Sequence, residues 1–137
     1  MRTRIVPFAM TAVLLGGGAV AATTGTASAS APKADAGIQS CLGTARNYTG
    51  TPGSSGSNAH WPGTGKYAYT TSNCADINIK TNYTRQVRTC FKATGSCNGW
   101  RTAAKGKWAL AATNVANGAG FYIQFKGVNA STGQIAY

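Results

Sequence analysis

Along residues 75–92 the chain alternates between apolar and polar positions. Ala75, Ile77 and Ile79 fall on one face and Asp76, Asn78 and Lys80 on the other, the two-residue period of a half-buried strand. Val87 and Phe91 repeat the pattern, with Arg88 and Lys92 on the polar side. The intervening Thr81–Arg85 (TNYTR) reads as a hairpin loop, and pairing Ile79 with Val87 keeps both apolar rows on one face. That register sets Asp76 diagonal to Arg88 and Lys92, where an ion pair is its expected use.

The same period marks further strands at Lys66–Ser72, Gly99–Ala103, Lys107–Val115, Gly120–Gly127 and Gln134–Tyr137, with a turn signal at Asn117-Gly118. In Gly120–Gly127, Phe121, Ile123 and Phe125 alternate with Tyr122, Gln124 and Lys126. Residues 49–65 are dominated by Gly, Ser and Pro and read as a loop. No amphipathic helix of useful length is found. Six to seven short strands with regular turns predict an all-β fold: a small antiparallel β-sandwich or barrel in a meander.

The N-terminus changes the compartment. Arg2 and Arg4, an apolar run from Ile5 to Leu15, and Ala27-Ser28-Ala29 have the layout of a secretory signal peptide, residues 1–29. Pro7 and Gly16–Gly18 interrupt the apolar stretch, which argues against a membrane span. Residues 30–40 then read as a flexible lead-in with order starting near Ile38, and 41–137 as a single β domain that is secreted, extracellular or cell-wall associated.

Four cysteines in a short exported chain predict two disulfides. Local pairing, Cys41 with Cys74 and Cys90 with Cys97, is favoured; Cys74 with Cys90 and Cys41 with Cys97 is the competing arrangement. No C-x-x-C spacing is present, so the chain offers neither a zinc site nor a redox pair, and no cofactor is expected.

Charge bears most on function. Thirteen Lys and Arg stand against two acids, a formal net charge of +11, and loss of Arg2 and Arg4 leaves eleven cations against the same two acids. General acid–base chemistry has only Asp35, Asp76 and His60 to draw on, which argues for a protein without enzymatic activity. Lys80, Arg88, Lys92, Arg101, Lys105 and Lys107 are outward cations that can share one face, with Tyr83 and Trp61 as aromatic contacts. Such interleaving suits an anionic polymer, cell wall or glycan; nucleic acid is a lesser option, since no nucleic-acid motif is present. His60-Trp61 reads either as an exposed platform or as a ring folded over one end of the sandwich. Trp100 and Arg101, adjacent on a strand, point to opposite faces, one packed and one exposed. Trp108 can equally be the first inward residue of its strand, and the sequence leaves open whether it lies inside or out.

With the signal peptide, the cysteines and the strands from Cys74 to Gly127 taken together, the chain resembles the small secreted two-disulfide β-proteins of actinobacteria, and in architecture the tendamistat-type α-amylase inhibitors. Their inhibitory triplet is Trp-Arg-Tyr on an exposed hairpin; here the nearest match is Trp100-Arg101-Thr102. The resemblance implies an inhibitor of a secreted hydrolase, an amylase or a protease, as the alternative to a polymer binder. A cationic antimicrobial role is the third expectation.

Overall fold

The alternating rows reappear as the inner faces of two sheets. In the computed structural model, which describes residues 37–137, a short helix over 37–43 precedes nine strands: β1 Arg46–Thr49, β2 Ala59–Trp61, β3 Ala68–Tyr69, β4 Ile77–Thr81, β5 Arg85–Phe91, β6 Arg101–Ala103, β7 Trp108–Ala112, β8 Gly120–Phe125 and β9 Thr132–Ala136. They form a sandwich of two antiparallel sheets, the first in the order β1-β9-β4-β7 and the second β2-β8-β5-β6. β3 extends the second sheet by pairing with β8 beyond β2. The signal-peptide reading and residues 30–36 of the lead-in lie outside the described residues; residues 37–40 belong to the short helix.

Ile77, Ile79 and Ile135 of the first sheet and Val87, Phe121, Ile123 and Phe125 of the second are fully buried in one shared core. Tyr48 stacks on Phe125 at 5.6 Å, and Tyr137 meets Phe121 edge-on at 5.2 Å, which closes two flanks of that core with aromatic contacts. Burial pushes the Tyr48 phenol above its ordinary pKa, and its hydroxyl shares a 2.9 Å hydrogen bond with Ser131 Oγ.

Several expectations are corrected. The meander is absent: only β5 and β6 are neighbours both along the chain and within a sheet among the described strands. The hairpin through Thr81–Arg85 is absent too, because β4 lies in the first sheet and β5 in the second. Ile79 and Val87 therefore share the core from opposite layers. Inward alternation fits an arch between sheets as well as a hairpin. The turn decides between them, and 82–84 holds neither a glycine nor a residue of positive φ, which tight hairpin turns require. Asp76 is consequently remote in register from Arg88 and Lys92; its Oδ1 accepts the Asn114 N–H at 2.9 Å, capping the turn where Asn114 takes a φ of 51°. Ala75, expected inward, is exposed. The strand count rises from six or seven to nine because β1 is short and mostly polar and β2, three residues long, lies inside the stretch read as loop.

Both disulfides follow the local pairing, Cys41–Cys74 and Cys90–Cys97. The first sits on the outward face of the first sheet, where Leu42, Ala45, Trp108 and Ala136 pack around it. Trp108 thus belongs to the outer surface and not to the main core.

The second holds a seam between the sheets. Just after Cys97, Asn98 acts as an added strand partner for β5: its N–H donates to Thr89 O at 2.9 Å and its Oδ1 accepts Thr89 N at 2.7 Å. Its Nδ2 then crosses to the first sheet and donates to Ala111 O at 2.6 Å, an acceptor shared with Thr89 Oγ1 at 3.0 Å. Arg101 Nη1 reaches Leu110 O at 3.2 Å. β7 is the edge of its sheet, so these donors satisfy carbonyls that would otherwise offer an unpaired edge.

Loop length alone ranks the bridges. Chain entropy gives about 3.7 kcal/mol for Cys41–Cys74 and about 2.4 kcal/mol for Cys90–Cys97, from separations of 33 and 7 residues. Because the shorter bridge also fixes Asn98, urea unfolding should show Cys90→Ser with Cys97→Ser costing at least as much as Cys41→Ser with Cys74→Ser. A loss that followed loop length would show that Asn98 holds its place without the bridge.

Candidate functional site

The outward face of the second sheet gathers cations and aromatic rings that are far apart in the chain. Its rows follow from strand register. His60 of β2, Gln124 of β8 and Arg88 of β5 form one row; Tyr122 and Cys90 form the next; Tyr69 and Gly120, with Lys92 just past the end of β5, form the third. Between β2 and β3 the chain leaves through a cis Trp61–Pro62 peptide and turns at Gly65, with a φ of 73° and Lys66 N bonded to Gly63 O at 2.9 Å. This loop raises Lys66 and Tyr67 beside the rows. The result is an open groove of about 500 Å³ whose lining includes His60, Thr64, Lys66, Tyr67, Arg88, Tyr122 and Gln124.

Arg88 and Lys92 are each held against aromatic rings. Arg88 places its guanidinium carbon 4.5 Å from the centroid of Trp100, and its Nε donates to Gln124 Oε1 at 2.8 Å. Its two terminal nitrogens have no hydrogen-bond partner among the described residues. The third row is possible because position 120 is glycine: a Cβ there would lie 3.1 Å from both Lys92 Cβ and Tyr69 Cε1. Lys92 Nζ donates to Tyr69 Oη at 3.0 Å and stands 5.3 Å from the Tyr67 centroid and 5.5 Å from that of Tyr69. Tyr67 in turn meets Tyr122 edge-on at 6.0 Å. The hydrogen bond to the Tyr69 hydroxyl, then the charge that phenol can carry, hold the Lys92 ammonium above its ordinary pKa.

His60 Nε2 lies 3.2 Å from Thr64 Oγ1, and Nδ1 lies 3.5 Å from Asn58 O. Among the described residues no carboxylate lines the groove, and Asp76 is engaged with Asn114 at the edge of the other sheet. Among the described residues no group of His, Cys, Asp or Glu is arranged to hold a metal ion, and no helix is long and apolar enough to cross a membrane. The arrangement is suited to holding an oxyanion: a planar fork at Arg88, point charges at Lys66 and Lys92, and ring faces beside them.

The residues singled out from the sequence separate into groups. His60, Arg88, Lys92 and Trp100 come together here. Trp61 points away, half-buried between Tyr48 and Tyr137 with both ring centroids at 6.0 Å. Arg101 serves the seam. Tyr83 and Lys105 meet at the arch, with Lys105 Nζ 5.8 Å from the Tyr83 centroid, and exposed Lys107 occupies the neighbouring turn. Lys66, Tyr67, Tyr122 and Gln124 line the groove, and Tyr69 stands beside it with Lys92, without having been singled out. The polar row Tyr122–Gln124 in β8 was the available signal, and it gains meaning only once β8 is known to pair with β5. No protein family, curated protein or solved structure matches the chain.

The Lys92 environment is open to a direct check. Tyr69→Phe should lower the Lys92 ammonium pKa toward its ordinary value, read by NMR titration of the lysine Cε signals. An unchanged titration would mean that the hydroxyl does not hold the ammonium.

Proposed function

We propose that the chain is a secreted, non-enzymatic protein that binds an extracellular anionic polymer, an acidic polysaccharide above all, in the groove on the second sheet. The observation that carries this reading is Arg88. Stacking on Trp100 and the bond to Gln124 fix its guanidinium while leaving the terminal fork open to a carboxylate, sulfate or phosphate. Lys66 and Lys92 extend the positive track, and Tyr67 offers a half-exposed ring on which a sugar face can lie. Trp100 is occupied as the support of Arg88, which favours a positioned cation over an exposed Trp-Arg wedge directed at a hydrolase. Export is supported by the signal-like residues 1–29 and by two disulfides, which persist in oxidising compartments.

The test is retention of residues 30–137 on immobilised heparin, wall polymer, chitin and cellulose across a salt series. Retention on the acidic polymers should weaken steeply between about 50 and about 200 mM salt. Arg88→Gln should weaken it by about 1.5 kcal/mol, roughly tenfold, at the lower salt. Salt-insensitive binding to an amylase or protease, with no retention on any polymer, would replace this reading with the inhibitor.

A further inference from the structure

A second cluster of cations and aromatic rings sits on the opposite face of the sandwich and shares no residue with the groove. Lys80 of β4 and Trp108 of β7 pair across the outward side of the first sheet, with Lys80 Nζ 5.0 Å from the ring centroid. The neighbouring end is built by the arch at 82–84 and the turn at 104–107. Gly106 N donates to Thr81 O at 2.8 Å, and Lys105 N donates to Thr84 Oγ1 at 3.0 Å. These bonds bring Lys105 to the face of Tyr83, a residue that is 70% exposed. Lys107, also exposed, adjoins Trp108. A shallow cavity of about 530 Å³ opens beside Lys80 and Asn82 and runs over polar side chains of β1 and β9. Gln134 there donates to Asn47 Oδ1 at 3.3 Å, and Asn82 to Thr132 Oγ1 at 2.9 Å.

We propose that this patch is a second polyanion site and that the protein is bivalent, holding one strand of acidic polysaccharide in the groove and another across Lys80, Lys105 and Lys107. Charge complementarity selects the occupant. Asp76 is the only acidic side chain between residues 37 and 137 and is engaged by the Asn114 N–H, so among the described residues no acidic side chain pairs with these lysines. The amides and hydroxyls beside Lys80 suit sugar hydroxyls, and the exposed Tyr83 ring suits a sugar face. The polymer class rests on the groove reading; the patch itself does not. Because the sites lie back to back across two sheets stacked roughly 10 Å apart, two strands bound at once are bridged, and bridging multiplies retention on a dense polymer without new contacts.

The experiment is agglutination of heparin-coated beads together with salt elution from a heparin column, using monomeric protein. Three forms are compared: wild type; a patch variant, Lys80→Gln, Lys105→Gln and Lys107→Gln; and a groove variant, Lys66→Gln, Arg88→Gln and Lys92→Gln. Near-UV circular dichroism checks that each is folded. Wild type should agglutinate the beads. Each variant should still be retained on the column, should elute at lower salt with a salt slope smaller by about one for each contacting cation removed, and should fail to agglutinate. Restoring the three patch positions as arginine should restore agglutination. A patch variant that agglutinates like wild type, or a groove variant with no retention at all, would overturn the second site while leaving the groove reading intact. A groove variant retained like wild type, beside a patch variant that is not, would overturn the groove reading and bivalency together.

Discussion

The carbonyl of Ala111 is a polar junction between the two layers of this protein. β7 ends its sheet, and a register shift near its pairing with Ile77 and Asn78 leaves Ala111 out of the ladder. An edge carbonyl at a protein interior must find donors or cost about 1 to 3 kcal/mol. Thr89 Oγ1 and Asn98 Nδ2 supply them from the other sheet. Thr89 is fully buried, so β5, the strand that carries the core residue Val87, is also the strand that grips the opposite layer through a polar side chain. Because Asn98 bonds both the N–H and the C=O of Thr89, it does for β5 what a strand would do and spends its remaining donor on the seam.

That arrangement links stability to the candidate site. The Cys90–Cys97 bridge fixes the entry to Asn98, and two residues later the chain delivers Trp100 to the outward face. There the ring becomes the support on which Arg88, two residues before Cys90, lays its guanidinium. The seam faces inward and the cation outward, and one seven-residue separation positions both. The glycine at 120 plays the matching part on β8, where the lack of a side chain lets Lys92 and Tyr69 meet. A small domain can thus afford a rigid cationic surface, since the groups that order it are those that close the fold.

Much of the scaffold was legible in the chain. β4, β5 and β8 stand out because Ile77, Ile79, Val87, Phe121, Ile123 and Phe125 alternate strictly, and all six are fully buried. The local disulfide pairing was legible from spacing. Topology was not, because inward alternation is the same for a hairpin and for an arch, and nothing in Thr81–Arg85 except the missing glycine separates them. β1 and β2 escaped notice for another reason: Arg46–Thr49 has a single buried residue, Tyr48, and Ala59–Trp61 is too short to show a period. The site was half legible. His60, Arg88, Lys92 and Trp100 carried chemistry that could be named in advance, whereas Tyr67, Tyr69 and Tyr122 became partners only through the pairing of β8 with both β3 and β5. Trp61 and Arg101, equally plausible from their residue type, turned out to serve the core and the seam.

The seam is tested most directly by native-state amide hydrogen exchange. The Thr89 N–H is bonded to a side chain, Asn98 Oδ1, and lies on the β6 side of β5 beyond the last paired residue, Val87. If Asn98 is an integral part of the core, that amide should exchange only through global unfolding, at the same free energy as the Ile123 amide in the centre of β8. Exchange of Thr89 by local opening, several kcal/mol below Ile123, would mean that Asn98 is a loose loop residue and not an integral part of the seam.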